Sequence, residues 1–419
     1  MQEMKFSIYA ITSYQSLIPV FFLMEQTLMR SYSKFVIKTT LRNKFNFIPV
    51  ILLIGVTLFL LIMNTSAIKK QGYKASIQQN IAETNSLINV YTKNINEAKT
   101  SKDREIPYRA REQAKQVRSD NQLSLELATQ QKWRSSLKVQ LQIINATDMQ
   151  TIKHHPSSVS PDYISSVYAT RTLYKRLIKL NLRPDVVGME TQGFPFTLRM
   201  VDVLFPVAVV LVMVTLLTSV FTQTFIDHID LDDMWPLSRS KLIFTKIGFS
   251  VVFAFAIYLV CLVLGFVGAS MINGSSSLDY PIVMVSNSST DIISVRTLLL
   301  QSLPLQLLCI IFMTMCVYLI TYLIRNRLAA MFMNVLIFCG ASLSVLKIEP
   351  ISHMVHLLPF SYFNTINVLT KQAAHDTGNQ QLTFATGIWV LIFWIAVIGV
   401  LIAVVNWVHS RRLQHRTVS

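Results

Sequence analysis

A dense group of charged residues, able to form ion pairs and hydrogen bonds, lies in one short connection between two long apolar runs. The stretch from Met234 to Lys246 reads MWPLSRSKLIFTK, and an acidic run precedes it. Asp232 or Asp233 can cap a short helix there, and Pro236 ends or redirects that helix. The sequence therefore predicts a compact, proline-bounded helix with acidic groups before it and basic groups after it.

This connection fits two kinds of surface. Trp235 and Leu237 add apolar area beside the charges, as expected for a rigid helix that docks a soluble partner. A solvated connector explains the charges equally well, because charge runs usually mark solvated faces. The residues by themselves leave docking and solvation open.

Catalytic and metal-binding motifs are missing from the sequence. It contains no G-x-x-x-x-G-K-[ST] phosphate loop, no H-E-x-x-H and no G-x-S-x-G. His353 and His356 are three residues apart but have no third ligand, which favours packing over a metal site. The four cysteines all lie in apolar runs, so no disulfide framework is expected. We therefore expect no catalytic residue, no metal site and no cofactor in this chain.

The composition is that of a membrane protein. Hydrophobic residues make up 52% of the 419 residues and charged residues only 14%, whereas a soluble protein carries roughly a quarter charged residues. A spanning helix needs about 20 predominantly apolar residues. The candidate runs are Phe47–Met63, Val203–Phe225, Phe249–Ile272, Leu298–Ile324, Leu328–Leu346 and Phe384–Val408. We expect an all-α integral membrane protein with six transmembrane helices, the first covering residues 47–65.

Basic residues are distributed asymmetrically around these runs. They cluster before the first run, at Arg325 and Arg327 between the fourth and fifth, and after the last. Short basic segments face the cytoplasm. With six spans, both termini therefore lie on the cytoplasmic side of a bacterial cell membrane. Residues 1–46 then form a cytoplasmic segment with an interfacial helix at 33–46. Three interpretations of residues 1–28 remain: a weakly apolar seventh span, an interfacial segment, or sequence upstream of the true start.

Residues 66–199 form a large polar segment that this topology places outside the cell. Apolar periodicity over 77–95 and 108–144 predicts a helical hairpin, and Ser160 with Pro161 predicts the start of a shorter helix. The segment holds 21 Lys or Arg against 11 Asp or Glu, a net charge of 21 − 11 = +10. That excess favours anionic partners, although a solvated surface beside anionic lipid headgroups explains it too.

A second unusual segment precedes the last run. Residues 349–371 are too apolar for a solvated loop and too short and broken to span. Irregular backbone at membrane depth needs cover from protein or a cavity. We therefore predict a re-entrant or interfacial pair of short helices bent at Pro359, with Phe360, Tyr362 and Phe363 as its key aromatic side chains.

The stretch PLSRSKLIFTK, following acidic residues, resembles the signature loop of bacterial ABC transporter permeases of the type-2 exporter membrane family. That family carries L-P-[LIV]-S-R-x-x-[IL]-x-x-x-K between its second and third spans. The matching positions are Pro236, Leu237, Ser238, Arg239, Leu242 or Ile243, and Lys246. LPFSYFNTINVLTK resembles the family's outer re-entrant segment, and the large insert resembles larger Gram-positive members. The chain departs in having Trp235 before the proline and no R-E-x-G-T-L sequence.

The resemblance implies a mechanism and a set of partners. Residues 223–246, within the membrane region 200–419, would be a cytoplasmic coupling loop that docks a separate ATP-hydrolysing subunit, which holds ATP and Mg. Its residues would be Asp232, Asp233, Trp235, Pro236, Leu237, Ser238, Arg239, Lys241 and Lys246. A second permease copy, as a homodimer or a sister chain, would complete the passage for an amphiphilic substrate such as a peptide, drug or lipid. Membrane lipids are further partners, and no nucleic acid is expected.

Two other functions compete with export. A membrane sensor would use the basic external region to bind an anionic envelope component or peptide. A substrate passage should leave a semi-polar seam along the second and fifth spans, which a sensor does not need. An intramembrane enzyme ranks last, because the six runs contain no Asp, Glu, Lys, Arg or His in their interiors.

Overall fold

The computed structural model of the chain describes residues 27–154, 159–226, 229–284, 291–344 and 353–418, and these are nearly all helical. The predictions for residues 1–26, 227–228 and 349–352 fall outside the described residues. The helices are α1 (27–42), α2 (Ile48–Gln71), α3 (Tyr73–Glu97), α4 (Ser101–Thr129), α5 (Trp133–Ala146), α6 (Asp148–His154), α7 (Pro161–Leu180), α8 (Gly193–Val203), α9 (Val210–Thr222), α10 (Arg239–Asn273), α11 (Val295–Ile324), α12 (Arg327–Ser344), α13 (Thr365–Leu369), α14 (Gln372–Thr377) and α15 (Phe384–Val418).

Short elements join these helices. A π-helical segment, Phe205–Val209, lies between α8 and α9, and 3₁₀ turns occupy Lys44–Asn46, Leu231–Met234, Val355–Leu357 and Pro359–Tyr362. Two antiparallel hairpins pair β1 (Phe225–Ile226) with β2 (Ile229–Asp230) and β3 (Pro281–Val283) with β4 (Ile292–Ser294).

Five helical stretches of the described chain are long and apolar enough to cross a membrane. They are Lys44–Glu97, Phe205–Thr222, Arg239–Asn273, Val295–Ile324 and Phe384–His409. The predicted fifth span is the shorter α12, whose 18 residues rise about 27 Å. The chain is thus an all-helical protein suited to a membrane, and the count of six spans stays a prediction.

The first span extends well beyond the predicted residues. α2 begins with Pro49 in its first turn, where proline's missing N–H is harmless, and continues to Gln71. Gly72, whose backbone is extended, then joins it to α3 within one continuous helical stretch from Lys44 to Glu97. A Cβ on Gly72 would lie 2.3 Å from the Ile68 carbonyl oxygen, so this junction accepts only glycine without rearrangement.

Helices α3 to α7 form a helical insert beyond the end of α2. The prediction of one long helix over 108–144 is wrong, because the chain forms α4 and α5 with Gln131 at φ 61° between them. α4 buries small residues such as Ser124 and Ala128 and leaves Leu123 exposed. The Ser124 and Ser136 hydroxyls meet at 2.9 Å across the α4–α5 turn. The predicted start of α7 is confirmed: Pro161 occupies its first turn and Ser160 Oγ accepts from Tyr163 N.

The second span is the centre of the helical bundle. Most side chains of Phe205–Thr222 are buried, and α9 packs against both α11 and α12. The π-helical segment Phe205–Val209 connects α8 to α9. Pro206 lacks a backbone N–H donor, and the local turn is the wider π-helical one. The C-terminal end of α9 leads into the β1–β2 hairpin, which is the first part of the candidate site.

Candidate functional site

The connection between the second and third spans folds into four consecutive pieces. The β1–β2 hairpin is followed by the 3₁₀ turn Leu231–Met234, an extended stretch from Trp235 to Ser238, and the start of α10 at Arg239. We call residues 224–246 the coupling hairpin. The predicted short helix is therefore present, and Pro236 follows its end.

The capping residue of that short helix differs from the prediction. The side chain of Asp230 accepts a hydrogen bond from Asp232 N at 3.1 Å, so neither Asp232 nor Asp233 is the cap. Asp230 lies at the end of β2, where the preceding hairpin orients it. This frees the Asp232 carboxylate for contacts that the sequence did not predict.

Asp232 is the centre of a buried polar network. Lys246 Nζ donates to Asp232 Oδ2 at 2.7 Å and to Thr224 Oγ1 at 2.9 Å. Tyr32 Oη donates to the other carboxylate oxygen, Oδ1, at 2.9 Å. The Lys246 side chain is only 4% exposed, and a charge this deeply buried persists only when paired and hydrogen-bonded. The network joins α1, the end of α9 and the first turns of α10.

Aromatic packing surrounds the same network. The rings of Tyr32 and Trp235 meet edge to face with centroids 5.3 Å apart, and Phe35 lies 5.7 Å from Trp235. Val36 and Leu242 are buried beside them. Burial and the neighbouring Asp232 carboxylate raise the pKa of the Tyr32 phenol well above its usual value, which keeps Tyr32 a hydrogen-bond donor.

Arg239 ties the coupling hairpin to α11. It pairs with Asp233 and lies 3.6 Å from Asp230. Its guanidinium also lies over the Tyr322 ring, 5.3 Å from the centroid, and donates to the Tyr322 hydroxyl at 3.3 Å. The Arg325 guanidinium lies over the same ring, 5.2 Å from its centroid.

The Asp230 carboxylate of this contact is partly withdrawn from solvent. Burial is the main cause that raises the pKa of Asp230.

The predicted coupling residues divide into two faces. Asp232, Trp235, Leu237, Arg239 and Lys246 point into the contacts with α1, α10 and α11 or lie partly buried beside them. The exposed ones are Asp233, Pro236, Ser238 and Lys241, and Met234, which was not among the predicted residues, is exposed beside them. We call this second set the outward face of the coupling hairpin. The inner set holds the hairpin against the neighbouring helices, whereas the outward face is exposed among the described residues.

Polar side chains continue from the hairpin into the bundle. Asn334 Nδ2 of α12 donates to Thr218 Oγ1 of α9 at 3.0 Å, and both residues are buried. Ser219 donates to Asn46 Oδ1 at 2.7 Å and accepts from Arg327 at 3.3 Å. Buried polar side chains thus join the second span to α12 by hydrogen bonds.

The segment before α15 forms the short helices that its sequence predicts. Pro359 opens the second 3₁₀ turn, and Tyr362 and Phe363 are almost fully buried. Phe360 contacts Phe312 of α11 and Phe338 of α12, with centroids 5.7 and 5.6 Å apart. This irregular backbone is therefore covered by protein, while its depth in a membrane stays a prediction.

A cavity of about 210 Å³ lies within the helical insert, between α3, α5 and α7. Its lining is mostly polar and includes Asn80, Gln140, Thr170 and the carboxylate of Asp148. Tyr163 Oη donates to Asp148 at 2.7 Å, which raises the pKa of Tyr163 to about 12. The cavity offers hydrogen-bonding groups and one negative charge to a small polar ligand.

Three residues of the site were missed by sequence reasoning. Tyr32, Thr224 and Tyr322 carry the contacts that hold the coupling hairpin, yet none belongs to its sequence motif. Tyr32 had a usable signal, because it lies three and four residues before Phe35 and Val36 on one helical face. Thr224 and Tyr322 had none, since each depends on the tertiary approach of distant segments.

Fold and composition define the class of this chain as a nearly all-helical protein whose long apolar helices suit a membrane. In the part of the chain that the structure describes, no group of three or more His, Cys, Asp or Glu residues could hold a metal ion. No protein-family model, no curated protein and no solved structure matches this sequence.

Proposed function

We propose that this chain is the membrane subunit of an ATP-driven exporter, of the kind that its coupling hairpin resembles. A separate ATP-hydrolysing subunit, holding ATP and Mg, docks on the outward face. One observation carries the proposal. The hairpin is held against α1, α10 and α11 on its inner side, while its other side, including the 72% exposed Met234, is exposed among the described residues.

These contacts give the hairpin the stiffness that mechanical coupling needs. A push on the outward face reaches α11 through Arg239 and Tyr322, and it reaches α1 and α10 through Asp232. Packed helices respond to such a push as rigid bodies that shift between discrete arrangements. ATP-driven closure of the docked subunits would therefore rock the spans instead of bending a loose loop.

A second copy of the chain, identical or a sister, would complete the passage for an amphiphilic substrate. The buried hydrogen bond between Thr218 and Asn334 joins the second and fifth spans, and the passage would form where these two spans meet the second copy. The chain would lie in the bacterial cell membrane with its coupling hairpin in the cytoplasm.

The test is copurification of the tagged full chain from its own host's membranes, with identification of bound proteins and an ATPase assay. We expect a stoichiometric ATP-binding subunit with the wild type and a loss of it with Met234→Glu. Met354→Glu is the matched control, because Met354 is 64% exposed beyond the opposite end of α12. An intact protein without any nucleotide-binding partner would overturn the proposal.

The cavity in the helical insert favours a second candidate, a membrane sensor for a small polar ligand or a peptide side chain. Under that function the insert binds a ligand and nothing crosses the membrane. Transport by vesicles that contain the chain and its ATPase separates the two. A sensor gives ligand binding sensitive to Asp148→Asn with no ATP-dependent uptake, whereas an exporter gives uptake.

A further inference from the structure

Four basic residues lie close to the junction where α2 passes into the helical insert. Lys74 Nζ lies 5.5 Å from the centre of the Trp133 ring, and the Arg183 guanidinium lies 5.9 Å from the same centre. Lys69 and Lys70 lie exposed in the last turn of α2, a few residues before Lys74. We call these five residues the Trp133 cluster. Its members come from α2, α3, α5 and the loop after α7.

We propose that the Trp133 cluster binds the phosphate headgroups of anionic phospholipids in the leaflet next to the helical insert. The proposal requires only that the chain lies in a membrane, so it is independent of export. It concerns a different end of the bundle from the coupling hairpin.

The length of α2 places the cluster at headgroup depth. From Ile48 to Ile68 the helix carries no charge, and these residues rise about 30 Å, the thickness of a bilayer's hydrocarbon core. Lys69 and Lys70 follow at once, and Lys74 is one turn further. The whole cluster therefore lies in the band where lipid phosphates are found.

The charges of the cluster are available to a ligand. Among the described residues, none of its four cations forms an ion pair within 4.0 Å. Asp185 is the acidic group that Arg183 influences, but its carboxylate already accepts from Thr191 N and Gln192 N at 2.8 and 3.2 Å.

The residue types also match a lipid partner. Tryptophan prefers the membrane interface, where its ring lies among headgroups, and Lys and Arg extend along apolar surface to reach phosphates. A soluble polyanion would bind as well to the basic residues at the far end of the α3–α4 hairpin. The position beside the apolar end of α2 is what favours a lipid.

The experiment uses the purified full chain in detergent, titrated with phosphatidylglycerol or with phosphatidylcholine of the same acyl chains. Bound lipids are counted by native mass spectrometry, and thermal unfolding reports stabilisation. Because each nearby cation strengthens binding to an anionic surface, we expect Lys74→Gln/Arg183→Gln to weaken phosphatidylglycerol binding about tenfold. Lys99→Gln/Lys102→Gln at the exposed α3–α4 turn removes the same charge and should leave binding unchanged.

Lys69→Gln/Lys70→Gln provides a second variant if the first does not fold, and it should also weaken binding several-fold. Equal binding of the two lipids by the wild type would overturn the proposal. Equal losses in the cluster and control variants would also overturn it, because general charge would then explain the binding. Full competition by inorganic phosphate at matched concentration would assign the site to a soluble anion instead.

Discussion

Lys246 and Asp232 form an ion pair, with Lys246 Nζ 2.7 Å from Asp232 Oδ2, although fourteen positions separate them in the sequence. The pair closes the coupling hairpin onto the first turns of α10. Its depth distinguishes it from a surface contact, because the lysine side chain is nearly inaccessible.

Removing one member of this pair should destabilise the protein strongly. Lys246→Met leaves the Asp232 carboxylate without its cation, and we expect a loss of about 3 kcal/mol of unfolding free energy. Thermal unfolding in detergent measures it, with Lys102→Met at an exposed lysine as the matched control, expected to change little. Because Lys246→Met/Asp232→Leu removes both charges, it should be more stable than the single variant. A single variant as stable as the control would contradict the buried pair.

The hydrogen bond from Tyr32 to Asp232 should show a pH dependence. Because the pKa of Tyr32 is raised in the folded state, this contribution is present below the unfolded value of about 10 and declines as the pH rises above it. Tyr32→Phe should therefore lower stability by about 1–2 kcal/mol at pH 7–9, and the difference should shrink above pH 10. Unfolding measured across this range tests both statements, and a constant difference up to pH 11 would refute the second.

Gly387 should be intolerant of a larger residue. A Cβ there would lie 2.6 Å from Tyr362 Cδ1, so α15 would have to displace the buried short helices before it. We expect Gly387→Ala to cost about 1–3 kcal/mol. Gly399→Ala on the same helix is the control, since its Cβ would meet Met315 at an ordinary 3.5 Å. Equal thermal stability of the two variants would show that the Tyr362 contact is loose.

Arg239→Glu should uncouple ATP hydrolysis without preventing membrane insertion. The substitution reverses the charge beside Asp230 and Asp233 and removes the contact with Tyr322. We expect stimulated ATPase activity of the complex to fall several-fold, with normal amounts of protein in the membrane. Tyr322→Leu should give a weaker loss of the same kind. Normal transport by the Arg239 variant would exclude a coupling role for this residue.

The sequence predicted the helical class well and the site only in part. Apolar runs located five long apolar helices because length and hydropathy are local properties, and Ser160 with Pro161 located the start of α7. The prediction of a single helix over 108–144 was wrong, because Gln131 adopts a left-handed backbone conformation that its neighbouring residues in the sequence do not require. α4 also buries alanine and serine, which a search for large apolar residues passes over.

The coupling hairpin shows the same division. Its motif singled out Arg239 and Lys246, but it did not predict their partners, which lie earlier in the hairpin at Thr224, Asp230, Asp232 and Asp233 and on α11 at Tyr322. The role of Asp232 was misassigned, because capping follows from local spacing whereas its bonds to Tyr32 and Lys246 depend on how α1 and α10 pack. Contacts that join distant segments are set by the whole bundle, so spacing alone did not predict them.

The most direct test of the central claim is photocrosslinking in the host's own membranes. A benzophenone amino acid replaces Met234 on the outward face, and in a second protein it replaces Met354 beyond the opposite end of α12. The account predicts an ATP-dependent crosslink from position 234 to an ATP-binding protein and none from position 354. If neither position captures such a protein while the chain is intact and inserted, the outward face is a solvated connector and the coupling account is wrong.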